Sequence, residues 1–188
     1  MVGPYNIIYA DPPWSYNDKM RGHSFSLDHE YPTMPLSEIK SLPVQSLAAK
    51  DCLLFLWVTS PFLQDGLDVM EAWGFKYVTV PFYWTKLTAT GKKAWNLGRW
   101  TMGNMELMML GRRGHPKRIR ADIKQQIEAV RGRHSEKPAE ARDRIVQLIG
   151  DLPRIELFAR QTAPGWDVWG NEVACSIEMG GTGRSEIP

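Results

Sequence analysis

Two hydrophobic rhythms alternate along the chain. Tyr5–Ala10 is a short apolar run, and Cys52–Val58 (CLLFLWV) is apolar almost without interruption. Both have the pattern of strands covered on two faces in a parallel sheet. After the second run, Ser60-Pro61 supplies an N-cap and a first-turn proline, and Gly74 a stop, around a helix predicted over 61–73. Lys76–Lys86, rich in Val, Thr, Phe, Tyr and Trp, reads as another strand. Leu87–Trp100 loses the periodicity and reads as a basic, tryptophan-bearing loop. Glu106–Leu110 is a fourth strand. Pro138 opens a helix with Ala141, Ile145, Leu148 and Ile149 on one stripe, and Gly150 ends it. Arg154–Ala159 and Trp166–Trp169 close the series as strands.

Strand–helix alternation of this kind predicts an α/β three-layer sandwich with a mostly parallel sheet. One domain over residues 1–175 is expected, with Ser176–Pro188 as a flexible tail. The Gly180-Gly181-Thr182-Gly183 run in that tail does not lie between a strand and a helix, so it is no phosphate loop. A domain of this size buries roughly 70% of its unfolded surface. Eight Trp are more flat rings than a small core needs, so several are expected to face a site. In open parallel sheets ligands collect beyond the carboxyl ends of the strands. That rule puts Asp11, at the end of the first strand, on the functional rim.

Charge and cysteine content narrow the class. With no signal peptide and no apolar stretch of about 18 residues, a cytoplasmic protein without membrane contact is expected. Cys52 and Cys175 are then expected to stay reduced. No pairing of the cysteines with His23, His29, His115 or His134 has metal-site spacing, so no metal is expected. The formal net charge of +2 hides an asymmetry: Arg112–Arg144 holds eleven Arg or Lys against five Asp or Glu. One basic segment on a slightly acidic body suits a polyanionic partner, although a solvated charged face has the same pattern.

The stretch Asp11-Pro12-Pro13-Trp14 carries the most specific chemistry. The prolines have no N–H and a fixed φ, so this backbone is rigid and presents only acceptors. Asp11 adds a carboxylate, and Trp14 a flat face for stacking. Together they describe a holder for a planar heterocycle bearing an amino group. The exocyclic amine of adenine is a weak nucleophile because its lone pair is delocalised into the ring. Accepting one hydrogen at Asp11 and one at the Pro12 carbonyl returns electron density to nitrogen and fixes the amine in line with an electrophile. The bland reading is a D-P-P turn beside a core tryptophan.

DPPW after an apolar strand resembles the signature of the MT-A-seventy family of adenine N6-methyltransferases. Three further segments are similar to that family, in its order. Asn104-Met105-Glu106-Leu107 resembles its N-x-E-x-x-L strand, and His134-Ser135-Glu136-Lys137-Pro138 its H-S-x-K-P segment. Ile155–Arg160 followed by Gly165–Glu172 resembles its E-L-F-A/G-R…W…G-N ending. The likeness runs from Tyr5 to Glu172. It implies a Rossmann-like class I fold that uses S-adenosyl-L-methionine (SAM), in a permuted order with the DPPW strand first and the ribose-binding segment last. By the same resemblance Asp11 and Pro12 would hold the target amine, while Pro13 and Trp14 shape the base pocket. Lys137 would reach the cofactor's carboxylate or the active-site loop. Glu106 and Asn104 would line the substrate side, and Arg160, Gln161, Asn171 and Glu172 would bind the ribose and adenine ends of SAM.

Each of these residues also has a structural reading. Asn171 and Glu172 suit ribose hydroxyls but also loop hydrogen bonds. Lys137 before a helix is also the position of a solvated charge. Glu106 on an apolar strand needs a partner, and Arg160 is one candidate. The chain departs from the family in having only ten residues before Asp11 and a short gap from Arg160 to Trp166, which leaves the match of Gln161 and Thr162 open.

A base in a duplex reaches such a pocket only if flipped out. The segments Ser15–Tyr31 and Leu87–Trp100 flank the site in this topology and are expected to handle the strand. Lys92, Lys93, Arg99, Arg112, Arg113, Lys117, Arg118 and Arg120 are candidate phosphate contacts. Trp95 and Trp100 are candidate stacking wedges, one of which is expected to pack into the core instead. With nearly all of the chain in the catalytic core, a compact bacterial or phage DNA adenine methylase of relaxed sequence preference is expected. RNA adenosine methylation is the alternative. A catalytically silent nucleic-acid-binding subunit is a further one, disfavoured by the intact DPPW. Methylation of a small amine or a protein is disfavoured by the basic segment.

Overall fold

A computed structural model of the chain describes residues 4–15, 33–98, 100–132 and 136–179. Strand β1 (Tyr5–Ala10) is followed by short helices α1 (Leu36–Ser41) and α2 (Val44–Leu47), then β2 (Ala48–Val58). A 3-10 turn at Ser60–Phe62 leads into α3 (Leu63–Ala72), then β3 (Lys76–Leu87). The hairpin strands β4 (Asn96–Leu97) and β5 (Met102–Gly103) precede β6 (Met105–Arg113) and β7 (Gln126–Val130). Helix α4 (Ala139–Ile149), β8 (Arg154–Leu157) and β9 (Asp167–Trp169) complete the described elements.

Seven strands form one sheet in the order β7-β3-β6-β2-β1-β8-β9. β1 pairs in parallel with β2 and β8, β8 with β9, and β3 with β7. β6 alone runs antiparallel, against both β2 and β3. The sheet is therefore mixed and mostly parallel, with helices on both faces.

Side-chain alternation divides the core in two. Ile8, Ala10, Leu54, Leu56 and Val58 face α1, α2 and α3, where Ile39, Val44, Val69, Met70 and Trp73 meet them. Ile7, Tyr9, Leu53, Phe55 and Trp57 face the other way, onto Ala141, Ile145 and Ile149 of α4. A period of two with both phases apolar is what a strand covered on two faces requires. Gly111 of β6 lets α3 come close, since a Cβ there would lie 2.7 Å from Met70 Sδ. Gly74, at φ 79°, turns the chain out of α3. Phe75 then donates its N–H to Met70 O at 2.9 Å, the closing bond of a Schellman motif.

Several elements differ from the sequence reading. Ser60 is not a helix N-cap; Ser60–Phe62 makes a 3-10 turn whose N-cap is Thr59, with no side-chain cap bond, and the α-helix begins at Leu63. Leu87–Trp100 is not wholly loop, because Asn96–Leu97 pairs with Met102–Gly103. Both Trp95 and Trp100 are exposed, so neither is the core residue one of them was expected to be. Trp57, Trp73, Trp84 and Trp166 are buried instead, and the first three donate their indole N–H to Tyr9 Oη, Ile39 O and Ala129 O. The rings in excess of a small core are thus fewer than the count of eight suggests. Residues 16–32, Arg99, His134, Ser135 and 180–188 lie outside the described residues, with the readings placed on them.

Trp73 has no exposed surface and its N–H is 2.9 Å from Ile39 O. Trp73→Ala is expected to cost about 3–5 kcal/mol of stability in urea unfolding. Trp100→Ala, at a fully exposed ring, is expected to stay within about 0.5 kcal/mol in the same measurement.

Candidate active site

β1 carries Asp11 just past its last sheet pairings, Ala10 with Leu56 of β2 and with Leu157 of β8. Lys137 Nζ donates to Asp11 Oδ2 at 2.6 Å and lies 3.2 Å from Glu106 Oε2. Lys86, from the end of β3, closes on the other oxygen of Glu106. Four side chains from β1, the N-terminal side of α4, β6 and β3 thus form a chain of alternating charge. The Lys137 and Glu106 side chains are only 8% and 7% exposed, so the pairing is shielded from water. Lys137 Nζ also lies over the Trp57 ring, 5.7 Å from its centroid, and Lys86 Nζ over Trp84 at 5.1 Å.

This arrangement sets the protonation of each group. Burial raises the pKa of Asp11 above the ordinary carboxylate value, and the Lys137 ammonium offsets only part of that rise. Burial also acts upward on Glu106, but two ammonium groups outweigh it and hold its pKa low. Lys137 is pulled down by burial and pushed up more strongly by Asp11 and Glu106, so it stays charged. A cation before a helix N-terminus opposes the helix dipole. The two carboxylates compensate for that placement. Lys137 is therefore not the solvated charge its sequence position allows. Glu106 pairs with Lys86 and Lys137, and Arg160 instead approaches Glu172, its Nε 3.9 Å from Glu172 Oε1.

The residues after Asp11 are tied down at the same rim. Trp14 N–H donates to Pro12 O at 2.9 Å, and Met34 N–H to Pro13 O at 2.9 Å. The Trp14 indole N–H reaches Trp57 O at 3.1 Å, and its ring stacks on Phe62 at 5.6 Å and 17°. One face and the donor of Trp14 are thus engaged, which makes it a fixed wall. The Pro12 carbonyl keeps a second lone pair.

On the other flank, Asp11, Lys137, Arg160 and Gln161 line one shallow cleft with Glu136, Arg142, Glu156 and Phe158. Arg142 Nη1 and Glu156 Oε2 are 2.9 Å apart and buried; burial raises the Glu156 pKa, and Arg142 opposes the rise. Gln161 Nε2 donates to Glu136 Oε1 at 2.6 Å. Phe158 has φ 61° and packs edge-on against Trp169, centroids 5.4 Å apart. Gly170 allows the strand ends to cross: a Cβ there would lie 2.2 Å from Ala159 O. Beyond it, Asn171 and Glu172 are both exposed, and Glu172 approaches Arg160.

Asn104 lies just before β6, where its carbonyl accepts the Lys86 N–H at 2.8 Å; its own buried Nδ2 has no hydrogen-bond partner among the described residues. Arg112, Arg113, Lys117 and Arg118 are not brought to this rim. Because β6 is antiparallel, Arg112 and Arg113 pair with Leu53 and Cys52 at the start of β2. Seven residues of strand from Glu106 to Arg113 span about 23 Å. Arg113 donates to Gln45 O at 2.8 Å, and Lys117 lines a separate cavity with Asn6, Asp51 and His115. The next stretch is tied to the far end of α4, Ile119 N–H donating to Leu148 O at 2.8 Å. Lys86, Arg142 and Glu156 escaped the sequence reading as site residues. A charged residue beside the apolar stripe of α4 and the acid within an E-L-F strand were the available signals. Among the described residues no cluster of three His, Cys, Asp or Glu is placed to hold a metal ion, and no helix is long and apolar enough to cross a membrane.

A mixed, mostly parallel sheet clothed by helices, with its first strand leading into Asp-Pro-Pro-Trp beside a cleft that Glu156 of β8 also lines, has the architecture of a Rossmann-like methyltransferase. The chain belongs to the MT-A70 family, whose model matches residues 5–172. It is 37% identical over 188 residues to the type II methyltransferase M.MunI of a Mycoplasma species, covering 90% of this chain and 78% of that protein. It is 29% identical over 190 residues to the mouse N(6)-adenine-specific methyltransferase METTL4, covering 90% of this chain and 37% of that protein. It is 29% identical over 177 residues to the Arabidopsis thaliana N(6)-adenosine-methyltransferase MT-A70-like, covering 92% of this chain and 24% of that protein. The chain thus spans well under half the length of the latter two.

Lys137→Met leaves Asp11 and Glu106 without their shared cation, and a loss of about 3–5 kcal/mol is expected near neutral pH. A carboxyl with a raised folded pKa contributes stability that is present below its unfolded value, about 4, and lost as pH rises through the folded one. Removing Lys137 raises the Asp11 value further, so the deficit of the variant grows with pH above about 4. Urea unfolding of both proteins across that range checks this; a deficit independent of pH would exclude charge as its cause.

Proposed function

We propose that this protein methylates the N6 amine of adenine in DNA, with S-adenosylmethionine as donor. The observation that carries the reading is Asp11, a part-buried carboxylate just past the end of β1 that pairs with Lys137 and lines a polar cleft. Oδ2 of Asp11 is held by Lys137. Oδ1 and the second lone pair of Pro12 then accept the two amine hydrogens, and Trp14 and Pro13 wall the base.

The residues along the cleft fit the cofactor's donor and acceptor groups. Carboxylates and Lys137 at the Asp11 end suit its ammonium and carboxylate, and Arg160, Gln161, Asn171 and Glu172 suit its ribose and base. When bound, S-adenosylmethionine supplies a sulfonium methyl group, so the N6–C bond forms as the S–C bond breaks, with no further acceptor. Asp11, whose proton affinity burial raises, takes the proton that the amine sheds. Lys137 and Glu106 position Asp11 and act on the base only through it.

DNA is favoured over RNA because the M.MunI relative, named a type II methyltransferase, is spanned by this chain over 78% of its length. A single catalytic domain over residues 1–175 is part of this proposal, as is a cytoplasmic setting.

Incubation with labelled S-adenosylmethionine and double-stranded DNA, single-stranded DNA or RNA tests the reading. Label is expected on N6-methyladenine in DNA, falling by at least about 10²–10³-fold in Asp11→Ala. Transfer to RNA alone would move the substrate to RNA. Cofactor binding by calorimetry without transfer to any polymer would leave a silent subunit.

A further inference from the structure

The β4–β5 hairpin holds a concentration of exposed apolar surface that nothing in the described structure covers. Trp95 is 54% exposed, Leu97 84%, Trp100 97%, Met102 57% and Met105 51%. Scattered exposed hydrophobes are ordinary, but five gathered between residues 95 and 105, in and around one hairpin, mark a contact surface. The hairpin is anchored at the site. Ala94, buried, donates its N–H to Lys86 O at 2.8 Å, Leu87 bridges to Lys93, and Lys86 N–H donates to Asn104 O at 2.8 Å. Both legs of the hairpin therefore grip Lys86, whose ammonium meets Glu106, which Lys137 links to Asp11.

Its charge identifies the occupant. No acid occurs from Leu87 to Met105, while Lys92, Lys93 and Arg99 are all cationic. A second copy docked through the same segment would bring Lys92 and Lys93 of each chain together, which like-charge repulsion opposes. A polyanion with flat rings is complementary to both features: aromatic side chains stack on bases while cations meet phosphates.

We propose that this hairpin engages duplex DNA beside the target adenine, with Trp100 stacking on the base pairs that an extruded adenine leaves open. The proposal rests on adenine methylation in DNA, because only a base taken out of its stack reaches Asp11. Apolar side chains that enter a base step compensate for the lost stacking and so hold the extruded state. Trp100 supplies the stacking surface, and Trp95, Leu97 and Met102 give the tip an apolar flank. Trp100 acts on extrusion and not on the methyl transfer itself.

The experiment compares wild type, Trp100→Ala, Trp100→Phe and Asp11→Ala on two duplexes: one fully paired, and one with an abasic site opposite the target adenine. On the paired duplex, Trp100→Ala is expected to lower kcat/KM roughly 10- to 100-fold, in line with the loss of one base-stacking contact. On the abasic duplex, where extrusion costs little, the deficit is expected to shrink to within about threefold, and Trp100→Phe to recover most of the paired-duplex rate. Equal kcat/KM for wild type and Trp100→Ala on the paired duplex would overturn the proposal. So would an equal deficit on both duplexes, or a shift from dimer to monomer in light scattering when Trp100 is removed. If wild type methylates neither duplex, adenine methylation in DNA fails as the function. Fluorescence of 2-aminopurine at the target position then decides the hairpin: a rise on binding wild type but not Trp100→Ala supports base extrusion, and no rise with either overturns it.

Discussion

The buried charge chain Asp11–Lys137–Glu106–Lys86 is the constraint on which the rest of the site depends. Two carboxylates of one sign meet at the rim of an apolar sheet, where burial alone penalises the ionised form. Lys137 between them makes the arrangement tenable, and Lys86 completes the balance around Glu106. Each member comes from a different element, so the pairing fixes the N-terminal side of α4 against the ends of β1 and β3 and the start of β6. The aromatic rings of Trp57 and Trp84 lie under the two ammonium groups and exclude water from one side. Stability and chemistry are therefore coupled here: a change that frees Asp11 also unties the elements that hold it.

Sheet topology explains why this rim gathers some charged residues and not others. In a wholly parallel sheet the start of β6 would lie at the opposite edge from the end of β1. Because β6 runs backwards between β2 and β3, Glu106 near its start reaches Lys137, the partner of Asp11. The same reversal sends Arg112 and Arg113 to the far edge, where Arg113 is spent on the Gln45 carbonyl. A run of basic residues that is contiguous in sequence is thus divided across the sheet. The chain returns to the site only through β7 and the residues leading to Lys137.

How far the sequence foretells this structure varies with the strength of each local pattern. β1 and β2 are legible because both phases of their alternation are apolar, and that in turn reveals the parallel pairing and the rim position of Asp11. α4 is legible from a clean stripe and from Pro138 and Gly150 at its ends. β7 is not, because in Gln126–Val130 only Ile127 is buried, and pairing with β3 decides its conformation. β4 and β5 have two residues each, too few for any periodicity. Within the site, Asp11 and Glu106 stand out as acids on or beside apolar strands. Their partner is less legible, since Lys137 follows a short polar stretch and looks like any solvated lysine until burial is known. The Arg142–Glu156 pair is legible only in three dimensions, because neither residue has a local reason to be buried.

The division of labour between the two oxygens of Asp11 follows from these contacts. Oδ2 is committed to Lys137 at 2.6 Å, and the carboxylate cannot rotate without breaking that bond. The orientation of Oδ1 is thereby set by α4 and not by the substrate. Pro12 fixes the neighbouring carbonyl in the same way, through a backbone with no torsional freedom at φ. In the proposed reaction, two acceptors held by separate parts of the fold would need no reordering when an amine arrives, so little of the binding energy would be lost to organising them. The raised proton affinity of Asp11 has the same origin, since shielding from water both holds the carboxylate and makes it more basic. Placing Lys137 so that it compensates this burial only in part keeps Asp11 an effective acceptor.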